Sequence, residues 1–66
     1  MKITLNGEKI SINNDMGLLK LLELKKIDQK NIAIEINRKI ITKNCWRKEK
    51  LNENDIIEII TAVGGG

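Results

Sequence analysis

The sequence predicts an α+β domain in which a mixed sheet of four or five strands carries one main helix across one face and ends in a flexible tail. Three observations lead there. Apolar and polar residues alternate in four separate stretches, one other stretch spaces its apolar residues as a helix does, and the last alternating stretch runs into Gly64, Gly65 and Gly66.

Residues 2–6 put Ile3 and Leu5 on one face, and residues 8–13 do the same with Ile10 and Ile12, as half-buried strands do. The Asn6-Gly7 pair between them suits a type I′ hairpin turn, because both residues tolerate the positive φ it requires. The pattern changes at Asn14-Asp15, where Asp15 is expected to cap a helix by accepting hydrogen bonds from the free N–H groups of its first turn. Leu18, Leu21, Leu22 and Lys25 follow at helical spacing; Leu19 widens the apolar stripe and Lys20, Glu23 and Lys26 are left for water.

After a polar break over residues 28–31, alternation returns at Ile32, Ile34 and Ile36. Asn37-Arg38 reads as a turn into the short apolar pair Ile40-Ile41, and Cys45-Trp46 as part of an irregular polar stretch. Residues 52–55 are turn-like, since Asn and Asp accept left-handed backbone and bond locally, and a last strand is expected over residues 55–63. The segment between Ile12 and Ile32 is long enough for a helical crossover that brings an early strand parallel to a later one, which is how a β-grasp roll is built. The domain then comprises residues 1–63 and the tail residues 64–66.

In the last strand, Ile57 and Ile59 are assigned to the core with Ile3, Leu5, Ile34 and Ile36, while Ile56, Glu58, Ile60 and Ala62 point the other way. A solvated face is usually more polar than that. Ile60, Ala62 and Val63, with Ala33, are therefore candidates for an apolar docking surface beside the tail; the competing reading is simply exposed isoleucine in an isoleucine-rich protein.

Size and composition exclude several classes of function. A chain of 66 residues is one small domain, and at this size only about 60% of the unfolded surface is buried on folding. Phe and Tyr are absent and Trp46 is the single aromatic residue, so the core must be built from Ile and Leu, with Trp46 expected to plug one end. A carrier or adaptor fits such a chain better than an enzyme with a deep cleft. His is absent and the carboxylates are scattered, so neither a metal site nor a bound cofactor is expected. Cys45 has no internal disulfide partner and reads as a structural thiol. No apolar leader or long apolar run marks the chain for secretion or a membrane, and a reducing cytoplasm is the expected location.

The chemistry gathers at the tail. Gly64 and Gly65 lack Cβ atoms, so as extended backbone they can thread a channel too narrow for other residues and present the Gly66 carboxylate inside a partner's active site. A carboxylate is a poor electrophile because it is anionic and has no good leaving group. Transfer of AMP from ATP cures both faults, and attack by a sulfur nucleophile on the mixed anhydride yields a thiocarboxylate. In this scheme the small domain supplies presentation, and stabilisation of the transition state comes from another protein.

Residues 3–8 (Ile-Thr-Leu-Asn-Gly-Glu), Leu18 to Leu22, residues 32–37 (Ile-Ala-Ile-Glu-Ile-Asn), Trp46 and residues 55–66 together resemble the ThiS family of thiamine-biosynthesis sulfur carriers, with the ending over residues 59–66 the most similar part. The resemblance covers nearly the whole chain. It implies a ubiquitin-like β-grasp protein that is no enzyme itself. In such a protein Gly66 would be adenylated with ATP by a ubiquitin-activating-like adenylyltransferase of the ThiF family. It would take sulfur from a cysteine desulfurase or equivalent, and donate it to a thiazole synthase of the ThiG family. The chain departs from the usual pattern at residues 52–55, where the family commonly has Asp-Gly-Asp, and at Met16-Gly17, where a Thr often helps start the helix.

Two other carrier roles share the glycine tail: the small subunit of molybdopterin synthase, and a ubiquitin-like protein modifier. A reading from another class, a basic nucleic-acid-binding module, rests on Arg47, Lys48 and Lys50 with Lys20, Lys25, Lys26 and Lys30, and on a net charge of +3. Without exposed aromatic residues to stack bases, a solvated surface explains these charges better, and no nucleic acid is expected as a partner.

Overall fold

The computed structural model describes residues 1–61 of the chain. Strands β1 (Lys2–Leu5) and β2 (Glu8–Ser11) open it, followed by helix α1 (Leu18–Leu24), strands β3 (Ile32–Ile36) and β4 (Lys39–Ile41), a one-turn helix α2 (Lys43–Trp46) and strand β5 (Ile56–Thr61). The five strands form one sheet in the order β2-β1-β5-β3-β4. β1 runs parallel to β5, and the remaining neighbours are antiparallel. This is the expected β-grasp: α1 provides the crossover that lets the first and last strands run in the same direction.

Both hairpins turn where their residues permit it. Asn6 and Gly7 have φ of 49° and 84°, and Asn37 and Arg38 have φ of 53° and 68°, so each pair supplies the two successive left-handed residues of a type I′ turn. The registers that follow sort the side chains. Leu5, Ile57 and Ile36 form one row across the inner face and Ile59, Ile34 and Ile41 the next. Onto this face α1 packs Leu18, Leu21 and Leu22, all fully buried with Ile34 and Ile57. Leu5 and Ile59 are only half-buried, because the parallel pairing of β1 with β5 stops at Leu5 and Ile57 and leaves no strand beside Ile59 on that side.

The helix starts differently from the sequence expectation. Asp15 caps nothing; it sits in the left-handed region at φ 64°, and α1 begins three residues later behind Gly17 with no side-chain cap. The start of the helix is tied to the backbone of residues 49–51 instead. Gly17 bridges Lys50, the Leu18 N–H donates to the Glu49 carbonyl at 2.9 Å, and the Leu51 N–H donates to the Met16 carbonyl at 3.0 Å. This strap buries Met16 and Leu51, which the periodicity of the flanking elements does not single out. At the other end, Lys26 occupies the left-handed position of a Schellman motif at φ 55°. Its N–H donates to the Glu23 carbonyl at 3.1 Å, and that of Ile27 donates to the Leu22 carbonyl at 2.9 Å.

The stretch around Cys45 and Trp46 is helical rather than irregular. One turn suffices to drop Trp46 into the core at 3% exposure, where its indole N–H donates to the Ile41 carbonyl at 2.8 Å. Trp46 thus closes one end of the core, as expected of the single aromatic residue.

Asp55 organises the approach to β5. It is buried at 6% exposure and accepts from the Asn52 N–H at 2.8 Å and from the Asn37 side-chain amide at 2.9 Å. The Asn37 amide oxygen accepts in turn from the Ile56 N–H at 2.9 Å, and the Asp55 carbonyl accepts from the Thr4 N–H at 2.9 Å. One buried carboxylate therefore links the 52–55 turn, the β3–β4 turn and the first residue of β5. The turn itself keeps its geometry without glycine, because Asn54 takes the left-handed conformation at φ 69°.

Two substitutions test this account. Replacing Asp55 by Ala removes the buried acceptor of two part-buried donors, and urea denaturation should show a loss of about 2 kcal/mol. Lys26→Gly relieves the strained helix cap, and the same measurement should show a gain of up to about 1 kcal/mol.

Candidate functional site

β5 is the central strand of the sheet and leads toward the glycines, so its outer face is the surface nearest in sequence to the proposed reactive end. Alternation sends Ile56, Glu58 and Ile60 outward while Ile57 is fully buried. Ile56 and Ile60 are 51% and 53% exposed. Ile60 pairs directly with Ala33 on β3, which is also exposed, so two of the four docking candidates are cross-strand neighbours. The other two, Ala62 and Val63, lie outside the described residues, as do Gly64, Gly65 and Gly66.

Two features of this face escaped the sequence reading. Ile40 on β4, 67% exposed, sits opposite Glu35, and Glu35 sits opposite Glu58 on β5, giving a row Glu58–Glu35–Ile40 across three strands. The outer face therefore presents two neighbouring carboxylates bracketed by Ile56, Ile60, Ala33 and Ile40. Alternation places each of these residues on its own strand; only the β3–β4 and β3–β5 registers bring them together.

Asn6 defines where β1 leaves β5. Its N–H donates to the Ile57 carbonyl at 2.9 Å, and its side-chain oxygen accepts from the Ile59 N–H at 2.8 Å, replacing the next rung of the parallel ladder. Thr61 lies beyond this rung and lines an open depression together with Ile27, Ile32 and Ile59.

The remaining reactive side chains lie elsewhere. Cys45 is exposed on α2, with its Sγ 3.5 Å from the Thr42 hydroxyl. Lys43 holds its ammonium 5.9 Å from the centre of the Trp46 ring, and Arg47 and Lys48 follow on the same side of the molecule, lining one open depression with Trp46. The indole is buried, so the protein's one aromatic ring is not offered to a base for stacking. Among the described residues no three His, Cys, Asp or Glu side chains are grouped to hold a metal ion, and no helix is long and apolar enough to cross a membrane.

Comparison with known proteins agrees with this architecture. The family model described as "ThiS family" matches residues 2–66. A protein from Bacillus subtilis named sulfur carrier protein ThiS is 34% identical over 65 residues, covering 97% of this chain and 98% of that one. A thiazole synthase from Paramagnetospirillum magneticum is 32% identical over 66 residues; the match takes in the whole of this chain and spans only 20% of that protein's length. The crystal structure of the thiamine biosynthesis protein ThiS from Geobacter metallireducens superposes with a TM-score of 0.86 over the full length of both chains at 22% identity, a likeness of fold. With its sheet order and its sequence matched from Lys2 through the last glycine, the chain belongs to the ThiS family.

Proposed function

We propose that the chain is a sulfur carrier for thiamine biosynthesis, not itself an enzyme, and that Gly66 is its acceptor and donor position. The observation that carries this reading is the family match over residues 2–66, which takes in the strand β5 and the glycines together. The Bacillus subtilis relative, named as a sulfur carrier, supports it over nearly its full length.

The chemistry needs three partners. In a ThiF-type adenylyltransferase the Gly66 carboxylate attacks the α-phosphorus of ATP and pyrophosphate leaves, producing an acyl adenylate. The terminal sulfur of a persulfide from a cysteine desulfurase or similar donor then attacks the carbonyl and displaces AMP, and a thiol reduces the resulting acyl disulfide, becoming a disulfide itself and releasing the thiocarboxylate. A ThiG-type thiazole synthase accepts that sulfur. The thiazole synthase of Paramagnetospirillum magneticum contains a stretch similar to this whole chain, which supports such an acceptor. ATP is consumed by the activating partner and is not a resident cofactor, and the unpartnered Cys45 fits a reducing cytoplasm.

Within this scheme the domain acts as a handle. Its outer face around Ile60 and Ala33 docks on the partner, Ala62 and Val63 are proposed to add apolar contacts to the same partner, and Gly64 and Gly65 thread the active site while Gly66 reacts. Docking and chemistry are thereby separated: the sheet supplies affinity and the tail supplies reach.

Intact-protein mass spectrometry tests the chemistry. Incubation with the adenylyltransferase, ATP and a sulfur donor should replace one oxygen by sulfur at Gly66. A chain lacking Gly65 and Gly66 should keep its melting temperature and acquire no sulfur; failure of the full chain to be modified by an enzyme proven active on another carrier would reject the reading. Ile60→Asp should weaken binding to the same adenylyltransferase by about tenfold without lowering thermal stability, checked by calorimetry and thermal melting.

A further inference from the structure

The outer face of the sheet holds a local conflict that folding does not resolve. Glu35 and Glu58 are directly opposed in the antiparallel pairing of β3 with β5, the arrangement in which like charges repel across a sheet. Glu58 is exposed and Glu35 half-buried. Among the described residues neither forms an ion pair; the ion pair present, Lys20 with Glu23, lies on α1. The cations that β1 and β2 place on this face are Lys2, two residues before the Thr4 that pairs with Ile56, and Lys9, which pairs with Thr4 from β2; neither forms an ion pair with the two carboxylates. In a chain whose net charge is +3, two adjacent carboxylates thus stand without an ion-pair partner among the described residues, flanked by Ile56 and Ile60 on β5, Ala33 on β3 and Ile40 on β4.

We infer that Glu35 and Glu58 together form the specificity element of the docking face, accepting a cationic side chain, most suitably an arginine guanidinium, from the protein that binds it. This rests on the proposed carrier function and adds what the partner must look like: a basic group set among apolar side chains, complementary to the acidic pair and its isoleucine rim. A planar guanidinium has enough donors to engage both carboxylates at once. The rim then shields the contact from water, where an ion pair gains far more than on an open surface. The same two charges repel the phosphate backbone of a nucleic acid and so work against wrong partners at this face.

The inference predicts opposite signs for stability and binding. Glu58→Gln removes the repulsion and should raise the melting temperature slightly, while lowering affinity for the ThiF-type adenylyltransferase several-fold. Glu58→Lys should lower that affinity by at least about tenfold, and Glu35→Gln should act in the same direction as Glu58→Gln. Binding is measured by calorimetry with the folded full-length chain at low and high salt; the wild type should lose affinity with salt more steeply than Glu58→Gln. If the wild type binds and the three variants bind equally well, the acidic pair has no recognition role and the inference falls while the carrier reading stands. If the wild type itself neither binds nor is adenylated, the carrier reading fails and the inference goes with it.

Discussion

The parallel pairing of β1 with β5, through Thr4–Leu5 and Ile56–Ile57, is the contact on which the rest of the structure depends. It joins segments about fifty residues apart in the chain, a closure whose entropy cost grows only slowly with length. With β1 on one side and β3 on the other, the last strand becomes the centre of the sheet instead of an edge. Ile57 is consequently fully buried between Leu5 and Ile36, and β5 is held by β1 as far as Ile57 and by β3 as far as Thr61.

Around that pairing, small polar side chains do the fitting. Asp55 links the residues before β5 to the β3–β4 turn through Asn37, and Asn6 ends the parallel ladder by accepting from Ile59. Each satisfies backbone donors that the short strands leave over. Asn also recurs where the backbone is left-handed, at positions 6, 31, 37 and 54, so one residue type supplies both the turn conformation and, at Asn6 and Asn37, the side-chain bond that holds it.

The division of labour follows from these constraints. A domain this small has one buried face and spends it on the contacts between α1 and the sheet. What remains is the outer face, with its acidic pair and isoleucine rim, and the glycines beyond β5. In the carrier function proposed here the first confers recognition and the second confers reach, and the activating chemistry belongs to the partner.

By itself the sequence determined the strands, the main helix, both Asn-containing turns and the inward direction of Ile3, Ile34, Ile36 and Ile57, because these depend on local periodicity and backbone preference. The glycine ending was equally legible, since glycine is chosen for what it lacks. Only tertiary structure decided the rest. Asp15 was a good cap by local rules, yet the strap formed by Lys50 and Glu49 reached the helix start first. The four-residue helix that seats Trp46 is too short to show a period. The opposition of Glu35 to Glu58, and the meeting of Ile60 with Ala33, arise between strands far apart in sequence. Alternation tells which face a side chain takes, and strand pairing alone tells which neighbour it meets there.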